Sequence, residues 1–171
     1  NEAGNYNTAV GYDSGPSLTA LSNTTALGYD AIPTASNTVV IGNSSIASIG
    51  GVVDWAVISD GRYKTNLQEN VMGLNFVMGL RPITYNLDVE QLASKLGENI
   101  EIDENGNRVN RVLREEEITS RQKKASKREI GFIAQEVEEL ANELGFDFSG
   151  VEVPENEQSM YRLRYAEFVV P

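Results

Sequence analysis

The stretch Asn7-Thr8-Ala9-Val10-Gly11-Tyr12 returns as Asn23-Thr24-Thr25-Ala26-Leu27-Gly28-Tyr29 and again as Asn37-Thr38-Val39-Val40-Ile41-Gly42-Asn43. Each unit reads as a strand of a few residues running into a glycine turn. A strand that short cannot bury its own apolar face, so its stability has to come from stacking on neighbouring units. The repeat therefore predicts a solenoid or a multi-chain β-structure. A flexible Gly/Ser/Thr/Asn-rich linker is the alternative, against which the regular apolar positions argue. The glycines are spaced by 17 and then 14 residues, which leaves the number of stacked turns open.

Composition changes where the repeats end. Residues 1–58 carry Glu2, Asp13, Asp30 and Asp54 and no Lys or Arg, a net charge of -4. The remainder holds all 14 basic residues and the other 21 acidic ones, a net charge of -7. Two physical environments are implied, with a boundary near residue 59: a β-repeat shaft over 1–58 and a mixed-charge globular domain over 59–171. The overall charge of -11 argues against nucleic acid or an anionic membrane as partner, because both need clustered Lys and Arg. No apolar run is long enough to span a membrane, and NEAGNYNTAV lacks the layout of a signal peptide. The chain is expected to be an excised piece, truncated at its C-terminus.

Within 50–171 the local patterns predict a mixture of helices and strands. Two glycines followed by Val52-Val53-Asp54-Trp55-Ala56-Val57-Ile58 read as a strand, and Asp60-Gly61 as a turn. Leu67, Val71, Leu74, Val77 and Met78 keep helical spacing, and Pro82 ends that run. Ile83–Leu87 reads as a strand. Asn105-Gly106 predicts a hairpin over 101–109, and the charged stretch 111–128 an exposed excursion. The basic run Arg121, Lys123, Lys124, Lys127 and Arg128 is expected to be solvated within it. A last helix is predicted over 132–144, with Ile133, Val137, Leu140 and Leu144 on one face, Glu138, Glu139 and Glu143 in solvent, and Gly145 as its cap. Met160–Val170 forms a further apolar run.

The chain has no Cys and no His, so a thiol nucleophile, an imidazole base, a thiolate zinc site and a disulfide framework are all excluded. Hydrolytic chemistry would have to come from Ser, Thr, Lys, carboxylates, Tyr or the backbone. Ser59-Asp60-Gly61-Arg62-Tyr63-Lys64-Thr65-Asn66 places a serine five residues before a lysine across a turn. A Ser-Lys dyad is a variant of triad logic, provided the amine is neutral. Its pKa would have to fall by burial or by a nearby positive charge such as Arg62. On spacing alone an ordinary turn with a solvated Lys64 is by far the commoner reading, since a Ser and a Lys five apart occur by chance in most proteins. Asp103 to Asn107 does not fit a calcium loop, because Gly106 is misplaced and Arg114 stands where the bidentate Glu belongs. No metal or cofactor is expected.

The pattern Ser59-Asp60-x-Arg62-x-Lys64-x-Asn66 resembles the opening signature of the intramolecular chaperone domains of tailspike endosialidases, phage neck appendages and myelin regulatory factors, peptidase family S74. Leu80-Arg81-Pro82-Ile83-Thr84-Tyr85 is similar to its L-x-P-x-x-Y element, Gly131-Phe132-Ile133-Ala134-Gln135-Glu136-Val137-Glu138 to its most recognisable stretch, and Tyr165 to a late tyrosine. The 40-odd residues between Tyr85 and Ile130 match nothing in that pattern.

The resemblance implies an α+β chain in which a trimeric β-helix-like or β-prism-like shaft precedes a small mixed α/β chaperone domain. It implies scission between Ile58 and Ser59, with Ser59 as nucleophile and Lys64 as base. Asp60, Arg62, Asn66, Gln135 and Glu136 would be supporting residues. Asp60 and Asn66 serve equally well as turn and cap residues. The repeats resemble the head repeats of trimeric adhesins and the shafts of phage tail fibres. A homotrimer on a virion tail or a cell surface follows, whose parent fibre would be free to meet a host-surface receptor or glycan. A non-cleaving trimerisation module is the second reading. A carbohydrate-binding tip using Trp55 and the repeat tyrosines is the third, and weaker, because aromatics at repeat positions more often stack on each other.

Overall fold

The computed structural model describes residues 4–16 and 20–171. Glu2 and the other residues of 1–3 and 17–19 in the expected shaft lie outside the described residues. The chain divides into two compact units, and both are interleaved along the sequence. The first is Asn1–Ala47, Thr84–Gly131 and Val153–Tyr161; the second is Ser48–Ile83, Phe132–Glu152 and Arg162–Pro171. The change of composition at residue 59 thus does not coincide with a boundary between compact units.

In the first unit the repeats stack. Strands β1 (Thr8–Val10), β2 (Thr25–Leu27) and β3 (Val39–Ile41) form a parallel ladder in that order, pairing Thr8 with Thr25 and Thr25 with Val39. Side chains alternate across each strand, so Ala9, Ala26 and Val40 share one face while Val10, Leu27 and Ile41 share the other. Ala26 is buried, whereas Val10, Leu27 and Ile41 stay exposed in the single chain. The glycines are required by space: a Cβ on Gly11 would lie 2.2 Å from the carbonyl oxygen of Gly28. Register also corrects the alignment of the first unit. Tyr6, Asn23 and Asn37 occupy one turn position with φ of 60°, 55° and 59°. Asn7 falls opposite Thr24 instead, accepting from its backbone N–H and its hydroxyl at 2.9 and 2.8 Å.

The rest of this unit comes largely from the segment that matches nothing in the family pattern. Strand β4 (Ile83–Asn86) leads into helix α2 (Val89–Leu96). The helix is opened by the Asp88 carboxylate accepting from Gln91 N–H and closed by left-handed Gly97 at φ 84°. Those cap signals stand in the sequence, but the helix itself was not read from it. Strands β5 (Ile100–Ile102) and β6 (Arg108–Asn110) form the expected hairpin, whose turn is held by Asp103 accepting from the N–H groups of Asn105 and Asn107. Helix α3 (Glu115–Ser126) and strand β7 (Arg128–Gly131) follow, and β7 pairs with β4.

The stretch 111–128 is thus ordered around a helix but largely exposed as expected, Lys123, Lys127 and Arg128 included, whereas Arg121 is not solvated. The Arg121 side chain is 3% exposed, pairs with Glu90, and donates to Asn99 Oδ1 at 2.7 Å. Lys124 pairs with Glu129 at 3.1 Å. A charged side chain that meets opposite charges inside the unit needs no apolar stripe around it, so the burial of Arg121 cannot be read from hydropathy.

Buried charges run through this unit. Glu98, 1% exposed at its side chain, accepts from the Ser44 N–H at 2.8 Å and the Ser44 hydroxyl at 2.6 Å, with Arg121 at 3.4 Å. Arg111 lies 2.9 Å from Asp30 and 3.0 Å from Glu117, and its guanidinium sits over the Tyr29 ring. Burial, followed by the like charges of Glu98, Asp13 and Glu117, pushes the Asp30 carboxyl up to about 7 against the pull of Arg121. The Arg111 contact opposes this, but Asp30 Oδ2 forms no aligned hydrogen bond there, so desolvation prevails.

The second unit gathers on Phe76, which is fully buried. Helix α1 (Leu74–Gly79) and helix α4 (Ala134–Glu143) pack through Phe76, Val137 and Ala141. Phe146, Phe148 and Phe168 ring the Phe76 side chain, with Phe148 at a centroid distance of 4.6 Å. The helices approach closely at Gly79, where a Cβ would meet Leu140 at 2.6 Å. Strands β8 (Val151–Glu152) and β9 (Arg162–Leu163) pair antiparallel, and Tyr165–Val169 adds a 3-10 turn. The helix expected over 67–78 is only six residues long, because Gly73 at φ 56° interrupts it. Its buried residue is Phe76, while Leu67, Leu74 and Met78 are exposed. The helix at 132–144 and its Gly145 end agree with expectation, since the Gly145 N–H donates to the Asn142 carbonyl at 3.1 Å.

The strand expected over 50–58 does not form. These residues carry no regular structure and are uncovered, with Val52, Val53, Trp55, Val57 and Ile58 all more than four-fifths exposed. A β-prone sequence becomes a strand only beside another strand, and none among the described residues pairs with it.

Two outcomes are expected. Phe76→Ala should cost about 3 to 5 kcal/mol in denaturant unfolding, since a large void is left among aromatics that cannot collapse fully. Asp30 binds its proton more readily folded than unfolded, so its contribution to stability is full below about pH 4 and fades as pH rises toward 7. Urea midpoints measured across that window should fall less steeply for Asp30→Asn than for the unmodified chain; equal slopes would contradict the assignment.

Candidate functional site

Ser59 precedes a short 3-10 turn, Gly61–Tyr63, whose N-cap is Asp60. The Asp60 carboxylate accepts from the Arg62 N–H at 2.9 Å, which fixes the turn, and from the Arg62 guanidinium at 2.6 Å. The guanidinium holds the Asp60 carboxyl below the usual range. The turn carries Lys64 back toward Ser59, and Lys64 Nζ donates to Ser59 Oγ at 2.8 Å. Asn66 follows in a left-handed conformation at φ 54°, the place an asparagine tolerates best after glycine.

Arg62 does not act as a free positive charge beside Lys64. Its guanidinium is taken by Asp60, whose negative charge offsets it. Ser59, Arg62 and Lys64 are exposed in the single chain.

The second part of the signature meets elsewhere in the same unit. Glu136, on the first turn of α4, forms a bidentate pair with Arg81, whose Nε donates to Oε2 at 3.0 Å. The Leu80-Arg81-Pro82 element and the stretch around Glu136 are thereby joined. Tyr165 stacks on Phe132 and accepts from the Phe132 N–H at 3.1 Å, which brings the late tyrosine to the same place. Gln135 is exposed. Among the described residues no hydrogen bond or ion pair links Ser59, Asp60, Arg62 or Lys64 to Gln135 or Glu136. The reading from sequence included Arg81 only as part of a motif; its charge, placed before Pro82 and matched by Glu136, was the available signal.

A family model described as chaperone of endosialidase, peptidase S74, matches residues 59–146. The chain belongs to that family. The match starts at the serine and ends before Tyr165. No curated protein and no solved structure matches the chain. Among the described residues no helix is long and apolar enough to cross a membrane, and no cluster of His, Cys, Asp or Glu is arranged to hold a metal.

The Arg81–Glu136 pair is exposed, so its part in stability should be small. Arg81→Met is expected to leave the thermal midpoint nearly unchanged, whereas Gly79→Leu, which drives a side chain into Leu140, should lower it by several degrees in a melting experiment.

Proposed function

We propose that this chain is a self-cleaving intramolecular chaperone that assembles three copies of a fibre in register and then separates from the shaft between Ile58 and Ser59. Ser59 is the nucleophile and Lys64 its base. The observation that carries the reading is the 2.8 Å hydrogen bond between Lys64 Nζ and Ser59 Oγ, immediately after the scissile bond. The functional division is a shaft over 1–58 and a chaperone over 59–171, whatever the packing of the compact units.

The chemistry follows from those atoms. Lys64, once neutral, takes the proton of the Ser59 hydroxyl as Oγ attacks the Ile58 carbonyl carbon. The carbon–nitrogen bond then breaks, the Ser59 nitrogen leaves as an amine with the proton from Lys64, and Ile58 is left esterified to Oγ. Water hydrolyses that ester to a free Ile58 carboxylate and restores the hydroxyl. Asp60 and Arg62 fix the turn that sets the distance, and Asn66 continues it.

Exposure explains why such a reaction would wait for assembly. Ser59 and Lys64 are open to solvent, whereas a Ser-Lys dyad works with its amine desolvated and neutral. The uncovered arm 50–58 and the exposed row Val10, Leu27 and Ile41 are apolar surfaces of the kind that other copies of this chain would cover. Covering the arm would dry Lys64 and supply the missing strand partner together. A trimer on a phage-like or cell-surface fibre fits both, and the stacking of Tyr12 on Tyr29 favours a structural over a sugar-binding use of the repeat aromatics.

Expression followed by denaturing electrophoresis is the test. The unmodified chain should yield a fragment that begins at Ser59 by mass spectrometry, and Ser59→Ala and Lys64→Met should each reduce cutting by at least about a thousandfold. A trimer that stays whole over days would favour the non-cleaving module instead.

A further inference from the structure

The first compact unit is made from both sides of the Ile58–Ser59 bond. Residues 4–16 and 20–47 precede it; 84–131 and 153–161 follow it. Breaking that bond severs the chain but none of the contacts within this unit. Those contacts are specific, and buried or half-buried. Glu98 receives the N–H and hydroxyl of Ser44, Arg111 meets Asp30, Tyr29 donates its hydroxyl to Glu117, and Asn156 donates to the Thr34 carbonyl at 3.1 Å.

Two of the shaft residues in this set occupy one repeat position. Asp13, Asp30 and Ser44 each stand two residues after the glycine of their turn, Gly11, Gly28 and Gly42. The following segment meets this position with opposite chemistry in consecutive turns: a guanidinium from Arg111 at Asp30, and a carboxylate from Glu98 at Ser44. A slip by one turn would set Glu98 against Asp30, carboxylate on carboxylate, in a dry site. Removal or mismatch of a buried partner is costly, although an intact buried pair adds little net affinity.

We propose that residues 84–131 are a register-reading clamp on the repeat shaft, and that through it the 59–171 fragment stays bound to the 1–58 fragment after the connecting bond is cut. The bound partner is the shaft of this chain, recognised by an acceptor at Asp30 and a donor at Ser44. Separation after scission is then a distinct step, governed by how well the shaft turns match the clamp. The inference rests on the cleavage reading only for its biological setting, because the contacts exist in the uncut chain.

A test free of self-cleavage uses the full chain carrying Ser59→Ala and a recognition sequence for a specific protease in the exposed stretch 52–57. After complete cutting, confirmed on a denaturing gel, the two fragments are expected to migrate as one species in native mass spectrometry and size exclusion at micromolar concentration. Ser44→Asp is the informative variant, since aspartate already occupies this position in the other two turns and suits the ladder. It should speed separation of the nicked fragments by about a hundredfold, and Ser44→Ala by about tenfold. Circular dichroism before nicking verifies that each variant is folded. Immediate separation of the unmodified nicked chain, or equal separation rates for all three, would overturn the clamp. Failure of the native serine version to cut itself would count against the cleavage reading alone.

Discussion

The parallel pairing of three-residue strands is the constraint on which the first unit depends. Backbone bonds between β1, β2 and β3 fix which residue of one turn lies over which residue of the next. Only with that register do Asp30 and Ser44 stand at equivalent places, two residues past their glycines, and only then can Arg111 and Glu98 meet them. Strands of this length make too few bonds to hold a register unaided. The buried charges supply what the ladder lacks, since a wrong register would leave a carboxylate in a dry site without a donor.

The second unit is organised differently. Its interior is aromatic and undirected, with Phe76 inside a group of phenylalanines, and it places the two recognisable motifs of the family side by side through Arg81 and Glu136. The Ser59–Lys64 turn is preorganised locally by Asp60 and needs nothing from that interior to reach its 2.8 Å separation. The turn's geometry is therefore local, and Ser59 and Lys64 stay exposed in the single chain.

Much of the site was legible because it is local. A turn over Asp60-Gly61, a serine and lysine five apart, the Asn105-Gly106 hairpin and the Gly145 helix end all depend on residues within one or two turns of each other. The misses share a cause as well. Residues 50–58 have strand chemistry without a strand, for want of a partner. The helix expected from 67 was shortened by Gly73, and its apolar stripe gave way to Phe76. The charge density of 111–128 implies solvation, which holds for most of it; Arg111 and Arg121 turn inward because Asp30, Glu98 and Glu90, outside that stretch, meet them.

By itself the sequence determined the stacking units, their glycine turns, the absence of thiol and imidazole chemistry, and the serine and lysine that could replace them. Those are matters of residue type and short spacing, where steric limits and side-chain reach decide. Tertiary structure alone decided that the two compact units interleave across residue 59, that Glu98, Arg111 and Arg121 lie inside, and that the arm before Ser59 stays uncovered. Each of these depends on contacts between residues far apart in the chain, and whether a charge or an apolar strand is buried follows from the partner that folding brings to it.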